Sequence, residues 1–250
     1  MDEFFQIGLI GFPVAHSASP KIFENFFAQN QLKNWEYKLF ELENLDQLDH
    51  LIIRNPNLIG FNVTVPHKIN ILPFLKFISP EAQAIGAVNT VKVIRNDDAY
   101  FLEGHNTDFF GFEETMNTLP RKPCSAIILG DGGSAKSVKA VFNKHKISYL
   151  SVSRNPVENQ ISYSDLEKLD WLTTDLIVQT TPLGMWPEVD KLPSLPYHLI
   201  ETKTMVIDLI YNPKHTLFLK KIEAKNCFCI NGDLMLQKQA EKAWDIFYHS

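Results

Sequence analysis

The sequence predicts an α/β protein made of two halves, each built from βαβ units around a largely parallel sheet. Three observations carry this. Short apolar runs alternate with amphipathic stretches of helical period. The series occurs twice, once from Gln6 and again from Ser125. In the second series a glycine turn, Gly130-Asp131-Gly132-Gly133, follows directly on an apolar strand. The 250 residues are 45% hydrophobic and 21% charged, an ordinary globular composition that excludes a disordered or low-complexity chain. One large domain or two small ones fit that length.

In the first series, residues 6–10 read as a strand. A Gly/Pro-marked turn leads to a helix over residues 20–29, with Pro20 in its first turn and Ile22, Phe23, Phe26 and Phe27 on its buried face. Residues 36–42 read as a second strand, 45–53 as a helix and 58–65 as a third strand. A hairpin is expected near residues 95–99 and a helix over 107–119. The second series gives a strand at 126–129, then a helix over 134–144 striped by Val138, Val141 and Phe142. Strands are expected at 148–153, 175–180 and 204–208. The last helix, 234–248, has no strand after it and is free to pack back onto the first half. The boundary is expected between residues 105 and 120.

Lys and Arg total 24 against 29 Asp and Glu, a net charge of -5 that lacks the basic excess of a nucleic-acid binder. Three cysteines, Cys124, Cys227 and Cys229, are too few and too uneven for a disulfide framework and point to a reducing compartment. Cys227 and Cys229 lie in a stretch that alternates like a strand, and no His or Cys at zinc spacing accompanies them, so no metal site is expected. The start, Met1-Asp2-Glu3, is acidic where a secretory signal would be basic. No apolar stretch approaches the ~18 residues of a membrane span. A cytoplasmic protein is expected.

Gly130-Asp131-Gly132-Gly133-Ser134-Ala135 matches G-x-G-x-x-A between a strand and a helix. The first glycine makes the tight turn, the second lets backbone approach a pyrophosphate, and the small last residue lets helix and strand sit close. The pyrophosphate would lie on the helix N-terminus. After the next strand come Ser153 and Arg154, with no carboxylate to hold a ribose 2′-hydroxyl. Arginine suits a 2′-phosphate, which favours NADP over NAD; the lesser alternative is that Arg154 is a solvated surface residue. Asp131 is an oddity, since an acid beside a pyrophosphate is unwelcome unless it points away.

Small polar residues crowd the turns of the first half. In a strand, Asn62 and Thr64 share one face, and Pro66 ends the ladder. Lys68 then stands past the strand's carboxyl end, where open α/β sheets bind ligands. Asn106, Thr107 and Asp108 precede a helix and are either its caps or, in the case of Asp108, a carboxylate able to hold the Lys68 ammonium. Asn89 adds an amide near the same place. Ser17 and Ser19 are N-caps or ligands for a carboxylate.

Together these motifs resemble the shikimate dehydrogenase family, in its order, from Gly11 to about Trp244. The carrying segments are residues 11–20, 62–68, 86–90, 106–108, 130–135, 181–185, 208–213 and 232–239. The resemblance implies an N-terminal α/β substrate domain (residues 1–106, with the helix at about 234–250 packing back), a C-terminal Rossmann NADP-binding domain (107–233) and a cleft between them. It implies reversible reduction of 3-dehydroshikimate to shikimate with NADPH in chorismate and aromatic amino acid biosynthesis, by a monomer or homodimer acting on a small molecule, with no nucleic acid or membrane partner. Lys68 and Asp108 would be the catalytic pair. Ser17, Ser19 and Tyr211 would attend the substrate carboxylate, and Asn62, Thr64, Asn89, Asp108 and Gln239 its ring hydroxyls. Gly130, Asp131, Gly132, Gly133, Ser134 and Ala135 would cradle the pyrophosphate, Ser153 and Arg154 would take the 2′-phosphate, and Gly232 would lie near the nicotinamide.

The sequence departs from the family's pattern at Ser153 (usually Asn), Asn155 (Thr) and Asp131 (Ala), and Phe23-Glu24-Asn25 lacks the usual His. Two other readings are a quinate/shikimate dehydrogenase using NAD and a non-catalytic nucleotide-binding sensor. Against the first, Ser19 is retained where quinate-using relatives tend to carry Thr. Against the second, both Lys68 and Asp108 are present.

Overall fold

The computed structural model describes residues 4–96 and 99–248; Met1-Asp2-Glu3, Asp97, Asp98, His249 and Ser250 lie outside the described residues. The first half runs β1 (Phe5–Gly11), α1 (Ser19–Gln29), β2 (Trp35–Glu41), α2 (Leu48–Arg54), β3 (Leu58–Val63), α3 (His67–Asn70), β4 (Phe77–Ile78), α4 (Pro80–Ile85), β5 (Thr90–Asn96), β6 (Ala99–His105) and α5 (Asp108–Met116). The second runs β7 (Ser125–Leu129), α6 (Gly133–His145), β8 (Ser148–Val152), β9 (Gln160–Ile161), β10 (Leu176–Gln179), β11 (Met205–Asp208), α7 (Leu217–Glu223), β12 (Cys229–Ile230) and α8 (Asp233–Tyr248).

The chain divides into two units, Met1–Phe110 with Gln237–Ser250, and Gly111–Leu236. Both breaks fall inside helices, α5 and α8, a few residues later than the expected boundaries of 106 and 233. The reason is that the first turn of α5 is held in the first unit by the side chain of Asp108, described below.

The first sheet has the order β2-β1-β3-β5-β6-β4. β1 runs parallel to β2 and β3, but β5 is antiparallel to both β3 and β6. β4 runs parallel to β6, so the sheet is largely parallel as expected, with β5 alone opposed because β5 and β6 are joined by a hairpin whose pairing ends at Asn96 and Ala99. The second sheet has the order β12-β11-β10-β7-β8-β9, with every pair parallel. Counted from β7, that is the 3-2-1-4-5-6 order of a doubly wound dinucleotide-binding sheet.

Several expected elements shift for local reasons. In α1 only Phe23 and Phe27 are buried, while Ile22 and Phe26 are half-buried. α2 begins at Leu48 because the Asn44 side chain accepts from the Asp46 N–H at 3.1 Å and holds a turn there. β3 stops at Val63: the His67 N–H returns to the Thr64 carbonyl at 2.9 Å, turning the chain across Pro66 into α3. The strand expected around Cys227 and Cys229 shrinks to Cys229–Ile230, since Asn226 takes a left-handed φ of 60°. Cys227 is buried and donates to the Glu201 carbonyl at 3.3 Å, and both thiols are pushed up by burial.

α8 supplies Ala243, Trp244 and Phe247 to a core shared with Ile7, Phe23 and Phe27. Gly60 lets the helix approach: a Cβ there would stand 2.5 Å from the Phe247 ring. No helix among the described residues is long and apolar enough to cross a membrane.

Candidate active site

In the first unit the site is organised around Asn89, at the start of β5 and 3% exposed. Its Nδ2 lies 2.9 Å from Asp108 Oδ1, 3.0 Å from Thr107 Oγ1 and 3.1 Å from Gln239 Oε1. Its Oδ1 accepts from the Thr107 N–H at 2.7 Å. One amide thus ties the α5 entrance to α8. Thr90 links this group to Asn62, whose Nδ2 donates to Thr90 Oγ1 at 3.1 Å and whose Oδ1 accepts from the Tyr37 hydroxyl at 3.0 Å.

Lys68 enters from α3. Its Nζ sits 2.5 Å from Asp108 Oδ2, with side-chain exposures of 13% and 1%. The cap of α5 is not Asp108: Asn106 Oδ1 accepts from the Phe109 N–H at 3.0 Å, and Asn106 Nδ2 donates to the Ala87 carbonyl at 2.9 Å. The Asp108 carboxylate is therefore available to the lysine, with one oxygen on the ammonium and the other on Asn89. Such a pair is retained out of water because hydrogen bonds satisfy the second oxygen.

His67 anchors α3. Its ring is 2% exposed and lies 2.6 Å through Nε2 from the Leu42 carbonyl. A carbonyl can only accept, so the Nε2 carries the hydrogen, and the buried Nδ1 has no partner among the described residues. Glu41 holds the loop before α1, accepting from the Val14 and Ala15 N–H groups at 3.1 and 3.2 Å. Sequence reasoning missed Glu41, His67 and Tyr37; only the adjacency of His67 to Lys68 hinted at any of them. Ser17 and Ser19 meet at 3.1 Å, Oγ to Oγ, both half-buried at the entrance to α1. Thr64, although half-buried nearby in sequence, packs against Gly11, where any Cβ would collide with its methyl group.

In the second unit Gly130 ends β7 with φ 111°, and a Cβ there would stand 2.6 Å from Thr180 Oγ1, so only glycine fits. A Cβ at Gly132, by contrast, would meet nothing within 4 Å. That glycine leaves open space at the start of α6, a helix N-terminus of the kind that suits an anion, and the buried Ala135 brings the helix close to the sheet. These residues fit a dinucleotide. Ser134 lies half-buried in the same turn.

Asp131 turns to Lys139, Oδ1 to Nζ at 2.5 Å. Burial pushes its carboxyl up, but hydrogen bonds from Lys139 and Gln160, with the charges of Lys139 and Lys136, hold it below its ordinary value. Past β8, Ser153 Oγ accepts from the Asn155 N–H at 3.3 Å, and Arg154 is exposed. Half-buried Tyr211 follows the buried Asp208, which accepts from the Thr216 hydroxyl at 2.6 Å and the Ile210 N–H at 3.1 Å. Burial pushes Asp208 up to about 6. Gly232 is buried with its Cα against Leu209, whose carbonyl a Cβ would strike. The structure thus joins Lys68, Asp108, Asn62, Asn89 and Gln239 in one network, with Ser17 and Ser19 paired beside each other and Tyr211 and Gly232 in the second unit.

Residues 9–91 match the family described as shikimate dehydrogenase substrate binding domain. The shikimate dehydrogenase (NADP(+)) of Desulforamulus reducens is 36% identical over 266 residues, covering 96% of this chain and 88% of that protein. The chain belongs to the shikimate dehydrogenase family. Among solved members of the family, the crystal structure of a shikimate dehydrogenase in complex with NADP+ superposes with a TM-score of 0.85 at 32% identity, covering 99% of this chain and 91% of that one. The Thermus thermophilus shikimate 5-dehydrogenase in complex with NADP(H) and shikimate gives a TM-score of 0.82 at 27% identity, covering 99% and 94%.

Proposed function

We infer that the chain catalyses the reversible, NADP-dependent reduction of 3-dehydroshikimate to shikimate in chorismate and aromatic amino acid biosynthesis. The observation that carries this reading is the buried Lys68–Asp108 pair, bonded through Asn89 to Gln239 on a unit of the substrate-binding family. Bound NADPH supplies the hydride. Lys68 delivers or orders the proton that reaches the carbonyl oxygen, and Asp108 keeps the ammonium in place; positioned proton transfer of this kind is worth roughly 10²–10⁴ in rate.

Asn62, Thr64, Asn89, Asp108 and Gln239 are assigned to the ring hydroxyls, and Ser17, Ser19 and Tyr211 to the carboxylate. Gly130, Gly132, Gly133, Ser134 and Ala135 are assigned to the pyrophosphate, Asp131 to the same turn, and Gly232 to the nicotinamide end. Ser153 and Arg154 take the 2′-phosphate, a reading supported by the lack of any acid there. Residues 1–106 with 234–250 are read as the substrate domain and 107–233 as the cofactor domain. We place the enzyme in the cytoplasm as a monomer or homodimer working on small molecules, with no nucleic acid or membrane partner. Its acidic net charge of -5 and three free cysteines support that setting.

The test is the initial velocity of shikimate and quinate oxidation, each with NADP and with NAD. Activity confined to shikimate with NADP is expected. Comparable rates with quinate or with NAD would overturn the assignment, and no turnover in any combination would remove the enzyme reading altogether.

A further inference from the structure

The loop from Phe12 to Ala18 carries Ser17 and leads to Ser19, yet it has little packing of its own. Phe12, Pro13, Ala15 and His16 are exposed, and only Val14 is buried. Ala18, at the N-cap of α1, has no side-chain acceptor with which to hold the turn. The hold comes from Glu41, the last residue of β2, whose Oε1 accepts from the Val14 N–H at 3.1 Å and the Ala15 N–H at 3.2 Å. From there the bonds run on to the serines. The Val14 carbonyl accepts from the Ser17 N–H at 2.9 Å. Ser17 Oγ accepts from the Ser19 N–H at 3.2 Å and donates to Ser19 Oγ at 3.1 Å. The next residue of the same corner fixes both flanks. The Leu42 N–H donates to the Gly11 carbonyl at 3.0 Å, and the Leu42 carbonyl accepts from His67, the neighbour of Lys68, at 2.6 Å.

We propose that Glu41 is a positioning residue for the substrate carboxylate: by holding the Val14 and Ala15 amides it sets where the Ser17 and Ser19 hydroxyls stand, and so sets the preference for an acid over its uncharged ester. The proposal rests on the assignment of Ser17 and Ser19 to that carboxylate. A carboxylate remote from the reacting carbon is bound alike in ground and transition states, so its contacts register in KM and not in kcat. Glu41 is exposed, and replacing it removes no core packing.

The test is steady-state oxidation by NADP of shikimate and of its methyl ester, which lacks the charge. Glu41→Ala is expected to raise the shikimate KM about tenfold, the scale of one or two hydrogen bonds, with kcat within about twofold. The preference for shikimate over the ester, in kcat/KM, should fall by about the same factor. Glu41→Gln keeps an oxygen for the two N–H groups and should hold the shikimate KM within about threefold of the wild type. A Glu41→Ala variant that lowers kcat at unchanged KM, or that weakens acid and ester alike, overturns the proposal. So does Glu41→Gln behaving like Glu41→Ala, which would make the effect one of charge and not of a held loop. Ser17→Ala in the same assay separates two failures. If it leaves the preference for the acid intact, the carboxylate assignment falls and the role of Glu41 with it. If it abolishes that preference while Glu41→Ala does not reduce it, the role of Glu41 alone falls.

Discussion

Lys68 and Asp108 form an ion pair in the first unit's interior, and their environment fixes what each substitution does. Lys68→Ala removes the ammonium and leaves Asp108 bonded to Asn89 alone, while the glycine turn of the second unit is untouched. We expect kcat to fall by roughly 10²–10⁴ with NADPH affinity unchanged. Steady-state rates with a parallel cofactor titration check this, and near-full turnover would remove Lys68 from the mechanism. Asp108→Ala differs, because it takes the carboxylate away from a lysine that is only 13% exposed and from Asn89 as well. Breaking one side of a buried pair costs about 3–5 kcal/mol, discounted toward the low end for the lysine's partial access to water. A lower melting temperature should therefore accompany the lost activity in both variants, since Lys68→Ala leaves the 1% exposed Asp108 carboxylate without its cation. At the other site, Arg154→Ala should weaken NADPH and spare NADH, since the exposed guanidinium has a phosphate to meet in one and a hydroxyl in the other. Equal loss for both would make Arg154 packing.

Among the elements, β11 carries the charge that most opposes its burial. Asp208, at the strand's carboxyl end, is fully buried, and its pKa is raised from 3.8 to about 6. The folded protein thus holds this proton more tightly than the unfolded chain does. The stability it contributes is complete below the unfolded value and is lost as pH rises through about 6. Raising a carboxyl from 3.8 to about 6 corresponds to roughly 3 kcal/mol. Urea midpoints of the second unit should therefore fall between about pH 4 and about pH 6 in the wild type. Asp208→Asn should flatten that fall; an unchanged slope would show that Asp208 does not titrate there. The elements that sequence reasoning read well are those with their own apolar signal, such as β7, α6 with Val138, Val141 and Phe142, and β8. β9 and β12 span two residues each, and α7 went unread, because what defines the two short strands is the neighbour they pair with. The site follows the same rule. Lys68, Asn89 and Asp108 were legible because charge and amide in turn positions are anomalous. Glu41 and His67 were not, because their function is to bind backbone of distant loops, Val14, Ala15 and Leu42.

At the scale of the whole molecule, the doubled βαβ series told of two halves and of a first break between residues 105 and 120, where it falls inside α5; the return break falls inside α8. The first unit is closed by the chain's own last helix. Trp244 packs its ring within 4.6 Å of Trp35 and 4.9 Å of Phe26, centroid to centroid, and Gln239, little more than one turn earlier, bonds Asn89. This helix therefore contributes both to the core and to the Asn89 hydrogen-bond network, joining residues far earlier in sequence. Trp244→Ala should cost about 3–5 kcal/mol, the range for deleting a buried Trp side chain. That loss belongs to the first unit, while Gly130, Gly132 and Arg154 stand in the second. Thermal unfolding followed with shikimate or with NADPH present separates the two. The transition that shikimate raises should move down in the variant and shikimate should bind more weakly, while the transition that NADPH raises should keep its midpoint. Equal displacement of both transitions would mean that the two units unfold as one, and that the helix closes the whole molecule and not only its first half.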